Sequence, residues 1–213
     1  MATTVTPPRR SQASRRASSH ALILDAAVDL LVERGYCGTT TVAIQERAGI
    51  TRGRLLHHFP SRDAVLVAAA QHLADERIIE MEQWFEHAND LAPGGPARLD
   101  RAITTLWNTF RQPYFWAAME LWSAARTDEG LRNELASSER RLGRAIHHVV
   151  ATIFGPVHSS HPGFDDVRDL LFSSMRGVAL AYSVVKRDPE TDPHLTMWRS
   201  IARRLLDVEM DDD

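Results

Sequence analysis

The chain has 213 residues, of which 44% are hydrophobic and 25% charged, with a formal net charge of −3. This is an ordinary globular composition, which argues against wholesale disorder and against a collagen-like repeat, and the length suffices for a sizeable core. The longest apolar runs, such as 149–154, fall far short of the roughly 18 residues a spanning helix needs, so no membrane partner is expected.

One cysteine, Cys37, can make neither an internal disulfide nor a thiolate zinc cage; an inert thiol in a reducing, cytoplasmic setting is the expectation. The charge is unevenly spread. Residues 1–62 hold nine arginines against four acids, net +5, whereas 63–213 hold sixteen basic residues against twenty-four acidic ones, net −8. A basic module joined to an acidic one points the first alone at a polyanion, because the second would be repelled by phosphates.

Residues 1–18, with Pro7, Pro8, Arg9, Arg10, Arg15 and Arg16 and no acid, read as a disordered basic tail that tethers weakly to phosphates. From Ser19 the apolar pairs Leu22/Ile23, Ala26/Ala27 and Leu30/Leu31 recur one helical turn apart, with Ser18 or Ser19 as cap and Gly35 as stop. A short helix is predicted over Thr41–Ala48, with Thr39 or Thr40 as cap and Gly49 in the left-handed conformation that ends it. Thr51 then caps a third helix running to Phe59. Two helices of about two turns, separated by a tight Gly-containing turn, are the helix-turn-helix signal. Ser61 restarts the chain into a long linking helix over 63–88. After Pro93–Pro96, helices are predicted near Ala97–Phe110, Tyr114–Arg126, Asp128–Phe154, Phe164–Lys186 and Asp192–Val208, with a loop over Gly155–Gly163. No segment alternates with period two, so the fold class is all-α.

The stretch A-G-I-T-R-G-R-L-L-H-H-F-P-S-R over Ala48–Arg62 resembles the DNA-binding domain of the TetR family of bacterial transcriptional regulators, whose pattern is approximately A-G-V-S-x-G-T-L-Y-x-H-F-x-S-K. Ala48, Gly49, Ile50, Thr51, Gly53, Leu55, His58, Phe59, Ser61 and Arg62 carry the match, and with Gly35, Tyr36, Thr39, Thr40, Ile44 and Leu66 it spans about 45 to 50 residues. Three positions depart from the pattern: Leu56 stands for the usual Tyr, which removes the phenol that reaches a phosphate, Arg54 for Thr, and Gln45 for Ala.

The residues support this independently. Ile44, Ala48, Ile50, Leu55 and Phe59 can close a small core that leaves Arg52, Arg54 and His57 on the outer face, where guanidinium forks suit guanine edges or phosphates. The expected DNA contacts are Thr40, Thr41, Arg52, Gly53, Arg54, Leu56, His57, His58 and Arg62, the last offered to a phosphate at the start of the linking helix; His58 is expected to be partly buried. The resemblance further implies an N-terminal helix-turn-helix domain over 19–66 and a helical effector-binding and dimerisation domain over 89–213. Candidate effector-pocket residues are Trp107, Phe110, Met119, Trp122, Ile146, Phe172 and Met175, with His147 as a polar anchor. Candidate dimer-interface residues are Leu171, Ser174, Gly177, Val178, Ala181, Val185, Leu195, Trp198, Ile201 and Leu205. His158 and His161 are expected in a surface loop and not at a metal.

The implied function is a homodimeric repressor that binds a palindromic double-stranded DNA operator and is released by an apolar or amphipathic small molecule. It needs no cofactor, metal or catalytic residue. The rival classes are a helical enzyme for an aromatic or lipid substrate, which lacks any recognisable catalytic motif here, and an effector-independent architectural DNA-binding protein.

Overall fold

The computed structural model describes residues 12–72, 75, 91–185, 188 and 191–208, the side chains of 12–18, 137, 138 and 141 excepted. Nine helices are described: α1 Gln12–Gly38, α2 Thr41–Ala48, α3 Arg52–His58, α4 over 62–72, α5 Pro96–Thr109, α6 Pro113–Ala125, α7 Glu129–Ser159, α8 Phe164–Tyr182 and α9 Pro193–Leu205. No strand occurs among the described residues, as an all-α fold requires. Most of the expected linking helix beyond residue 72, residues 1–11 of the basic tail and the final acidic residues lie outside the described residues.

The described residues fall into two compact units, the first made of 12–72 and Ala117–Leu135, the second of the remainder. In the first, Ile23, Leu24, Ala27, Leu30 and Leu31 of α1 recur at helical spacing and meet Ile44, Leu55, Phe59, Val65 and Leu66. Ala117, Leu121, Ala125, Leu131 and Leu135 complete this core from α6 and the start of α7, a stretch that a linear reading of the sequence assigns to the second region. α1 is already helical at Gln12, ahead of the start expected at Ser19. No Gly or Pro separates 12 from 19, and Ala13, Arg15, Arg16 and Ala17 are all good helix formers, so nothing local stops the helix there. Ser19 therefore sits inside α1, 3% exposed, and does not cap it.

In the second unit Leu99, Ala102, Ile103, Leu106 and Trp107 form the buried face of α5. They meet Leu195, Trp198 and Ala202 of α9 and Phe164, Val167, Leu171, Met175 and Ala179 of α8 in one buried set. Trp107 and Trp198 lie with ring centroids 4.9 Å apart, and Trp198 Nε1 donates to Ser174 Oγ at 2.8 Å. Asp192 caps α9, accepting from the backbone N–H of His194 at 2.9 Å. α7 is kinked at Gly155, whose φ of 82° is open to glycine, and the Arg98 guanidinium occupies the space a side chain would take. A further helical turn follows the kink where a loop was expected. α8 ends at Tyr182, four residues before the expected Lys186.

Candidate nucleic-acid interface

The two short helices are set by their caps. Thr40 accepts a hydrogen bond from the Ala43 N–H at 3.1 Å, starting α2, and Gly49 ends it in the left-handed conformation at φ 64°. Thr51 adopts extended backbone and caps α3, its Oγ1 accepting from Arg54 N at 3.4 Å. Between the caps only two residues, Gly49 and Ile50, separate α2 from Thr51, and the Ile50 N–H returns to the Gln45 carbonyl at 3.0 Å. Leu55 is 2% exposed and anchors α3 to the core, so the remaining side of a seven-residue helix turns outward: Arg52, Gly53, Arg54, Leu56 and His57 are all exposed. His58 is half-buried, edge-on to His20 with ring centroids 5.8 Å apart. Thr40 is exposed and Thr41 half-buried at the start of α2.

Arg62 is used differently from the expected phosphate contact. Its Nε donates to the Thr39 carbonyl at 2.7 Å, its Nη2 donates to the Tyr36 carbonyl, and its guanidinium lies over the Tyr36 ring at 4.0 Å. These bonds tie the start of α4 to the connector that leads into α2. Tyr36 completes the brace by donating its hydroxyl to Asp63 at 3.0 Å; burial first, then the Asp63 carboxylate, holds its phenol above the ordinary range. The Tyr36 N–H donates to Glu120 Oε2 at 2.8 Å. Arg47 is exposed and ties α2 to α1 at the surface, bonded to Glu33 at 2.6 Å and Asp29 at 3.3 Å. The candidate DNA face therefore owes its positive charge to Arg52 and Arg54, while the neighbouring arginines hold the helices together. The Arg62 brace was not legible from spacing, because its partners are carbonyls 23 and 26 residues away.

Residues 23–69 match the family of bacterial regulatory proteins described as the tetR family, and this match falls on the two capped helices and their core. Residues 23–69 thus form a DNA-binding domain of the TetR type. An uncharacterized HTH-type transcriptional regulator of Mycobacterium tuberculosis is 26% identical over 192 residues, covering 90% of this chain and 96% of that one. A transcriptional regulator of Rhodococcus sp. shares the fold with a TM-score of 0.68 at 23% identity over 90% of this chain and all of its own. The regulator FadR of Bacillus subtilis, solved in complex with stearoyl-CoA, matches with a TM-score of 0.60 at 14% identity over 90% of this chain and all of its own. The chain is thus a DNA-binding transcriptional regulator of the TetR type.

Beyond the TetR helix-turn-helix, the expected pocket residues are divided between the two units. Trp107, Phe110 and Phe172 lie together in the second unit, Phe110 being 5.7 Å from Phe172 and 5.3 Å from Phe115, ring to ring. Met175 is fully buried there and Ile146 half-buried. Met119 and Trp122 belong to the first unit, where Trp122 packs against the aliphatic core; the alternation along α6 hides this, because both ends of that helix are apolar. His147 is exposed, its Nε2 beside the Arg168 guanidinium and 3.6 Å from Asp165, and so makes a surface ion cluster and no pocket wall.

The expected dimer stripe is also divided. Leu171, Leu195 and Trp198 are at most 6% exposed and belong to the chain's own core, because α8 and α9 pack on each other through that side. Gly177, Ala181, Val185 and Leu205 are exposed, and Ser174, Val178 and Ile201 half-buried. Cys37 is exposed. His158, expected in a surface loop, is 2% exposed and bonded to the Gly95 backbone; burial first, with Arg98 and His161 nearby, holds its imidazole below the ordinary range. His161 lies 3.4 Å from Asp207. Among the described residues no group of three or more His, Cys, Asp or Glu could hold a metal, and no helix is long and apolar enough to cross a membrane.

Proposed function

We propose that the protein is a homodimeric repressor whose α3 enters the major groove of a palindromic operator and whose second unit takes an apolar or amphipathic effector that releases it. The observation that carries the DNA part is α3 itself, anchored by Leu55 with Arg52, Arg54 and His57 exposed on its outer side. Guanidinium groups on an inserted helix can bond bidentately to guanine edges or hold phosphates. Thr40 and Thr41, at the start of α2, support the approach to the backbone, and His58 steadies α3 more than it reads bases.

A second exposed feature supports the dimer. Leu170, Ser173, Gly177 and Leu180 recur at alternating spacings of three and four along α8, Val184 follows in the turn just beyond it, and all are exposed, Val184 at 85%. Such a stripe suits a helix packed on its own copy, with Gly177 allowing close approach. Ala181, Val185 and Leu205 extend it. Two copies would then offer two α3 helices to successive major grooves, about 34 to 36 Å apart. The effector reading rests on the aromatic cluster of Trp107, Phe110, Phe115 and Phe172, which is the apolar lining that small-molecule sites use, and on FadR, whose structure holds stearoyl-CoA. The reading places the protein in the cytoplasm, on the nucleoid when bound, and assigns it no turnover.

The test is binding to an operator selected from random duplex DNA. Arg52→Ala and Arg54→Ala should each weaken that binding by about 1 to 3 kcal/mol without lowering thermal stability, since neither side chain belongs to the core. Unchanged affinity in both variants would remove α3 as the reading helix.

A further inference from the structure

We propose that Leu56 reads thymine: its isobutyl group packs against the 5-methyl group of a thymine in the major groove, beside the bases or phosphates held by Arg52 and Arg54. The inference rests on the DNA-binding reading above and assigns one base contact within it.

Leu55 and Leu56 are adjacent leucines with opposite fates. Leu55 is 2% exposed and fills the core, whereas Leu56 is 49% exposed on the outer side of α3. A single exposed leucine is unremarkable on a protein surface; its placement here is what matters. Leu56 lies one turn from Arg52 and three residues from Gly53, so these three share one strip of the helix. A Cβ added at Gly53 would meet nothing within 4 Å, so the strip beside Leu56 is bare backbone and can come close to a groove floor. At its position the TetR pattern has a tyrosine able to reach a phosphate, but leucine has no donor and gains nothing from a phosphate oxygen. Among the base edges of the major groove, thymine alone presents a methyl group, and apolar side chains contact it. The deoxyribose is the other apolar partner within reach, and it carries no sequence information.

The experiment uses full-length protein and a duplex site selected from a random library. Each thymine of the site is replaced singly by deoxyuridine, which lacks only the methyl group, and affinity is read by fluorescence anisotropy for the wild type and for Leu56→Ala. At one thymine per half-site, the wild type should lose about four-fold in affinity, the worth of one buried methyl-sized group. Leu56→Ala should melt like the wild type, bind the parent duplex several-fold more weakly, and no longer distinguish thymine from deoxyuridine at that position.

Indifference of the wild type to every replacement, or a selected site without thymine, overturns the assignment and leaves α3 a DNA reader that touches sugar. A methyl penalty that persists in Leu56→Ala also overturns it, because another side chain then makes the contact. If no duplex is enriched at all, the DNA-binding reading fails, and the thymine assignment fails with it.

Discussion

The two units are built from the same helical elements but solve different problems. The first has a core of branched aliphatic side chains, Ile23, Leu24, Leu30, Leu31, Ile44, Leu55, Val65, Leu66 and Leu121, with its turns closed by side-chain and backbone hydrogen bonds. The second is packed around rings: Trp107, Phe110, Phe115, Phe154, Phe164 and Trp198. Among the described residues, Asp100 Oδ1, His158 Nε2, Asp192 Oδ2 and Arg199 Nε are buried side-chain atoms that make no hydrogen bond, and all belong to the second unit. The difference lies in how space is filled: branched aliphatic side chains close the core beneath two short capped helices, whereas tilted and edge-on rings fill the space among α5, α8 and α9.

The largest expected effect tests the ring-packed core. Trp198→Ala removes a fully buried indole, its contact with Trp107 and its hydrogen bond to Ser174. It should cost about 3 to 5 kcal/mol of stability, as large-to-small aromatic changes do, measured by urea unfolding. Were Trp198 a dimer-interface side chain, the same change would shift oligomeric state and leave the monomer's fold intact; a normal unfolding midpoint with a loss of dimer would restore that assignment.

A smaller effect tests the first unit. Arg62→Ala removes the side-chain donor to the Thr39 carbonyl, one of the two donors to the Tyr36 carbonyl, and the stacking on Tyr36. It should destabilise by about 1 to 3 kcal/mol, with DNA affinity falling because α2 and α4 are no longer tied. Loss of DNA affinity with an unchanged melting temperature would instead return Arg62 to the phosphate contact expected from its position at the start of α4.

The smallest effect concerns pH and sharpens the contrast between the units. Burial holds the His158 imidazole below its ordinary value near 6.5. The unfolded chain therefore binds a proton more readily than the folded one, so stability is fully present above about pH 6.5 and declines as pH falls through the lowered folded value. Replacement by Phe, which cannot take up a proton, should flatten the part of that acid slope due to His158. An identical slope in the wild type and His158→Phe, followed by near-ultraviolet circular dichroism, would place the acid sensitivity elsewhere.

What could be read from the chain itself was whatever depends on neighbours within a few residues. Gly35 breaks α1 three residues before its end at a φ of 66°, and Thr40, Gly49 and Thr51 set the limits of α2 and α3 through a hydroxyl one turn ahead or a positive φ, both enforced by local geometry. The dense motif from Ala48 to Arg62 identified the family for the same reason, since a capped helix-turn-helix is written in consecutive residues. Only the tertiary structure decided which side of each long helix meets which partner. Trp198 and Leu171 face the chain's own core while Leu180 and Val184 face outward, yet all four are apolar at helical spacing. Trp122 and Met119 joined the first unit, Arg62 turned to carbonyls in the α1–α2 connector, and His147 lay outside among charges. Periodicity shows that a helix has an apolar side; it does not name the surface that buries it, because burial is settled by contacts between residues far apart in the sequence.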